Sequence, residues 1–116
     1  MEIFTFSETV GRAITQFDST FIMTKIVNTE GRVHISCMHL SEGGIIGFHD
    51  TVVPQLLLVV QGKGRVRANE GYVEVMPGDA VFWNRGEGHK TISETGMMAI
   101  VIEAETLEPG AFMKKK

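Results

Sequence analysis

The chain has 116 residues, of which 43% are hydrophobic, with a formal net charge of −3. That is one domain's length with enough apolar material for a core, which excludes disorder. The longest apolar run, Met97 to Ile102, is too short to cross a bilayer as a helix. Apart from the tail Lys114 to Lys116, read as a solvated end, the basic residues are scattered, so a nucleic-acid partner is not expected. The first ten residues, MEIFTFSETV, lack the basic and long apolar regions of a secretion signal, and Cys37 is the only cysteine. We expect a single cytoplasmic domain over 1–116, with no membrane partner.

In chain order, Ser7 is placed to cap a short helix with Val10, Ile14 and Phe17 on one face, although Gly11 weakens it. A strand is expected over Phe21 to Val27, closed by the turn NTEG. Val33, Ile35 and Cys37 alternate with Arg32, His34 and Ser36, which predicts a half-buried strand with the apolar set inward. On that parity His39 continues the inward face and His34 faces solvent. After SEGG, further strands fit Ile45 to Thr51, Gln55 to Gln61, Gly64 to Ala68, Tyr72 to Met76, Ala80 to Asn84, His89 to Ser93 and Met97 to Ala104. Glycine-rich turns separate them. Residues beyond about Glu105 lose the pattern and are expected to form a loose segment. Many short strands with almost no helical period predict an all-β sandwich or barrel.

Polar residues interrupt this apolar pattern at informative places. Along a regular strand Ile45, Gly47, His49 and Thr51 share one face. Gln55 opens the run LLLVV, apolar on both faces, so it needs a partner or costs about 1–3 kcal/mol of desolvation. A later segment, PGDAVFWNRGEGHKT, runs through a strand and a glycine loop to His89. One of Phe82 and Trp83 faces inward, and the turn hides which. Arg65 and Arg67 share a face, read as outward.

The spacing of the two segments resembles the paired motifs of the cupin superfamily. Gly43 is followed by five residues, His49-x-Thr51, three residues, Gln55, six residues and Gly62. Gly78 is followed by five residues, Asn84-x-Gly86, two residues, His89, three residues and Ser93. The resemblance implies a double-stranded β-helix, a jelly-roll barrel with its core over about 21–104 and a short N-terminal extension, with a pocket at the mouth. It also implies a divalent metal (Zn, Ni, Fe or Mn) at the motif positions His49, Gln55 and His89. Thr51 stands where cupins carry a further histidine, and Gln55 where they carry glutamate. That set lacks the two-histidine, one-carboxylate triad of iron oxygenases.

The expected function is therefore a metal-assisted enzyme on a small polar metabolite, by lyase, isomerase or hydration chemistry rather than O₂ activation. His49 and His89 are the expected catalytic residues, and Thr51, Trp83, His39 and Phe82 the expected pocket lining. The alternative is a metal-free module that binds or senses a small molecule, the two histidines acting as hydrogen-bonding groups. A homodimer is expected from the pairing of sheet edges common among cupins.

Overall fold

A computed structural model describes residues 1–116. Twelve strands form it: β1 Glu2–Thr5, β2 Arg12–Ile14, β3 Phe21–Met23, β4 Val33–Leu40, β5 Gly44–Asp50, β6 Gln55–Gly62, β7 Gly64–Arg67, β8 Val73–Val75, β9 Asp79–Trp83, β10 Gly88–Ser93, β11 Met97–Ala104 and β12 Lys114–Lys115. There is no α-helix, only three single turns of 3₁₀-helix. A six-stranded sheet in the order β12-β1-β9-β6-β11-β4 faces a four-stranded sheet, β5-β10-β7-β8. Together they make the jelly-roll barrel. The pairings are antiparallel throughout, as expected of strands joined by short glycine turns.

The centre of the large sheet is buried on both faces, which explains the run Leu56 to Val59. Its inner face sends Leu57, Val59, Val81, Ala99 and Val101 against Val66 and Val75 of the small sheet. Its outer face sends Phe4, Leu56, Leu58, Ala80 and Phe82 against Leu107 and Met113. Burial of such side chains stabilises by roughly 25 cal/mol per Å² of apolar surface. Two glycines are fixed by geometry. Gly62 has φ +74°, and a Cβ there would lie 2.1 Å from the Gly96 carbonyl oxygen. At Gly88 a Cβ would lie 2.3 Å from the Phe48 ring, so the residue before His89 must be small.

Several sequence expectations need correction. The capped helix near Ser7 is absent; Glu8–Val10 forms one 3₁₀ turn. Phe21–Met23 pairs with β2 in a separate two-stranded sheet, not in the barrel. The N-terminus is no mere extension, because β1 pairs with β9 inside the large sheet. Nor is the C-terminal segment loose: β12 pairs with β1, and Leu107 and Met113 are buried. Finally, the alternation of β4 is inverted. Leu40 belongs to the barrel core, whereas Ile35 is 66% exposed. β4 pairs only with β11, and the outer cover stops near Val33 and Ile102, leaving Ile35 and Cys37 bare.

Candidate functional site

Two strands of the small sheet bring the motif histidines together. In the β5–β10 ladder His49 lies directly opposite His89, and Ile46 opposite Thr91. β5 thus spends one more residue than β10 between those pairs, a β-bulge. The bulge turns both Ile46 and His49 toward the barrel interior. A regular strand would have sent Ile45 inward with His49; instead Ile45 is 64% exposed. The two imidazole rings meet edge to face with centroids 4.2 Å apart. Across the barrel Trp83 lies against His89, centroids 4.8 Å apart and planes 32° apart.

Hydrogen bonds set the orientation of each imidazole. His49 Nδ1 lies 2.7 Å from the Gly47 carbonyl oxygen. A carbonyl only accepts, so His49 donates from Nδ1 and its Nε2 is left as an acceptor. His89 Nδ1 is 2.6 Å from the Thr51 hydroxyl. Thr51 is itself buried and pinned: its amide donates to the Glu87 carbonyl at 2.8 Å, and its carbonyl accepts from the Gly86 amide at 2.8 Å. The loop between β9 and β10 is tied further by Glu87, which accepts from the Asn84 amide at 2.8 Å and pairs with the N-terminal ammonium. Burial works against the Glu87 charge, but the ammonium and the Asn84 amide outweigh it and hold the carboxyl below its usual range.

His89 is 2% exposed. Burial pushes its imidazolium down to about 4, and the charge of His49 adds to this; the Glu87 carbonyl and carboxylate oppose both without prevailing. His89 is therefore neutral at physiological pH. Two polar atoms buried in the barrel have no protein partner, Trp83 Nε1 and Thr91 Oγ1. Each such atom carries an unrecovered desolvation cost of about 1–3 kcal/mol.

The expected site residues separate into two groups. His49, Thr51, Trp83 and His89 are brought together. Gln55 lies opposite Trp83 in the β6–β9 ladder, so it shares the inner face at the same level. Phe82 and His39 must be removed from the pocket lining. Phe82 points into the outer layer, opposite Leu56, because it alternates with Trp83. His39 is opposite Met98 and alternates with the core residue Leu40, so it faces away from the barrel. It also sits near the far end, where it lines a surface cleft with Gln61 and Met98. Arg65 and Arg67 flank the buried Val66 and point outward.

Sequence reading missed Glu103. It lies opposite both Gln55 and His34, and it alternates with the inward Val101, so all three share the inner face. The available signal was the break of polarity at the end of the apolar run MMAIVI. His34, expected to face solvent, is exposed but on this same face.

The donor set was tested against the metal that the barrel type implies. The donors at the motif positions are two imidazoles, a neutral amide and a hydroxyl already bonded to His89; the one carboxylate at this level, Glu103, lies a strand beyond Gln55. Nowhere in the fold do three His, Cys, Asp or Glu side chains converge as a metal group. A divalent ion on His49, Gln55 and His89 would have no anionic ligand among those three to offset its desolvation. His49, Gln55 and His89 do not fit a resident Zn, Ni, Fe or Mn.

Comparison with known proteins agrees with the architecture. The model of the family described as AraC-like ligand binding domain matches residues 47–107, which carry both histidines, Gln55, Trp83 and Glu103. No curated protein matches the chain. Among solved structures, a cupin superfamily protein from Desulfitobacterium hafniense is similar with a TM-score of 0.61 at 16% identity, over 71% of this chain and 75% of that one. A predicted oxalate decarboxylase from Thermotoga maritima gives 0.55 at 22% identity, over 59% and 62%. A polyketide cyclase from Streptomyces resistomycificus gives 0.59 at 20% identity, over 74% and 61%. At these identities the likeness is one of fold, and the fold is that of a cupin.

Proposed function

Because this chain belongs to the family of AraC-like ligand binding domains, we propose that it is a small-molecule binding module whose ligand contacts His49, Gln55 and the edge of His89 at the barrel mouth. The observation that carries this reading is the pairing of two oriented imidazoles beside Trp83, above a barrel otherwise filled by aliphatic side chains. His49 presents Nε2 as a fixed acceptor, and Thr51 holds the ring of His89 in place. Pre-set polar groups of this kind give orientation and specificity to a ligand.

Binding fits better than the enzymatic alternative of lyase, isomerase or hydration chemistry. A general acid–base group works best with its pKa near the operating pH. Burial pushes His89 down to about 4, so at neutral pH it is uncharged and a weak base, which removes one of the two expected acid–base groups.

Trp83 is the only tryptophan and touches His89, so its fluorescence reports the site directly. Titration with a collection of small polar metabolites should give at least one saturable emission change, lost in His49→Ala. A saturable change that survives in His49→Ala, or none across the collection, would overturn the assignment.

The free, exposed Cys37 supports a reducing, cytoplasmic setting. We further propose a homodimer. The outer edge of the eight-residue β4 is unpaired and carries the bare Ile35, and the β2–β3 hairpin exposes Phe17, Phe21 and Ile22. Light scattering at micromolar concentration should give twice the chain mass, and Ile35→Lys should shift it toward the monomer. A monomeric mass for the unmodified chain would contradict the proposal.

A further inference from the structure

Six strands each place one residue at the level of the histidine pair. Cross-strand register aligns His34 of β4, Glu103 of β11, Gln55 of β6 and Trp83 of β9 on the inner face of the large sheet. Ring contacts carry the row on to His89 of β10 and His49 of β5. The six residues thus form a belt that runs from β4, at the edge of one sheet, to β5, at the edge of the other.

The chemistry of this belt is one-sided. Glu103 is its only acidic side chain, and no lysine or arginine belongs to it. Glu103 is half-buried and enters none of the chain's ion pairs. Of the basic residues nearest in sequence, all but Arg32 are directed elsewhere. Arg65, Arg67 and Lys90 lie on the outer face of the small sheet. Arg85 is held by Glu105 and by the Val52 carbonyl. Arg32 precedes β4, outside the ladder, and is exposed. Acceptors therefore dominate: the Glu103 carboxylate, the Gln55 amide oxygen and His49 Nε2, which the Gly47 carbonyl leaves free. A half-buried carboxylate that lacks an internal cation is poorly compensated, and a bound cation would compensate it.

We propose that Glu103 sets the charge of the ligand, and that the ligand is a small organic amine, protonated and rich in N–H or O–H donors, rather than a carboxylic acid or phosphate. Its ammonium would pair with Glu103 beside Gln55, and a second donor would reach His49 Nε2. This rests on the reading of the barrel mouth as a ligand site. Opposite charge across a binding site discriminates by repulsion as well as by attraction, so anions would be excluded.

The test is a fragment survey by NMR on the isotope-labelled full chain, with equal numbers of small amines, neutral polyols and carboxylates. Shifts are read at the Trp83 indole and the histidine rings. Amines should dominate the hits at these signals. Glu103→Gln should weaken them by about tenfold or more while leaving neutral hits unchanged, the size expected for loss of a charge-assisted hydrogen bond. Gln55→Glu should strengthen amine binding, which guards against reading a misfolded Glu103 variant as a lost contact. Carboxylates dominating at the same signals, with binding lost in Arg32→Ala, would overturn the amine assignment and leave the ligand site standing. Amine binding indifferent to Glu103→Gln would also overturn it. No hit of any class at these signals would overturn both.

Discussion

Replacing Trp83 with alanine is expected to cost about 3–5 kcal/mol of stability, near the top of the range for one substitution. Trp83 is fully buried in the barrel core with Leu57, Val81 and Val101. The barrel around it is closed by ladders to β6 and β1, so it has little freedom to collapse onto a cavity of that size. Trp83→Phe should cost much less, about 1–2 kcal/mol. It keeps an aromatic ring against His89, and it deletes a buried N–H that has no partner. Urea unfolding followed by far-ultraviolet circular dichroism measures both, since the variants lose the only intrinsic tryptophan signal. A loss below about 1 kcal/mol for the alanine variant would contradict the packed interior.

The second large effect is in the pH dependence of folding. Burial pushes His89 down to about 4 in the fold, from an ordinary value of 6.5. Between those values the unfolded chain binds a proton that the folded chain refuses. Stability therefore rises with pH across this window. The His89 contribution is fully present above about pH 6.5 and is lost as the pH falls toward 4, a total of about 3 kcal/mol at 1.36 kcal/mol per pH unit. Denaturation midpoints across that range should fall steadily on acidification. His89→Asn should flatten much of this slope while lowering stability at pH 7. A variant whose slope matches the unmodified chain would show that His89 is accessible to protons in the fold.

The strands were legible in the sequence because their signals are local. Glycine turns bound β6, β7, β10 and β11, and both faces of Leu56 to Val59 are apolar because two layers cover that part of the strand. The motif spacing located His49, Thr51, Gln55 and His89, whose separations reflect turn lengths. What failed was parity. On β4 the apolar residues Ile35 and Cys37 sit on the bare outer side of an edge strand, so hydrophobicity pointed the wrong way and carried His39 with it. On β5 the bulge shifted the inward set from Ile45 to Ile46 while keeping His49 inward. Glu103 escaped notice because its meaning lies in register with Gln55 and His34, distant in the chain. The fate of the termini was equally non-local: β1 and β12 gain their strand character by adding to the edge at β9.

The proposed ligand site needs no resident metal. Its most direct test is elemental quantification on untagged protein, as purified and after loading with excess Zn, Ni, Fe or Mn followed by desalting. The donor set predicts metal well below one equivalent per chain in both samples, with no difference between the unmodified chain and His49→Ala or His89→Ala. One equivalent of metal that disappears in both variants would contradict it, and would show that two imidazoles and the Gln55 amide hold an ion after all.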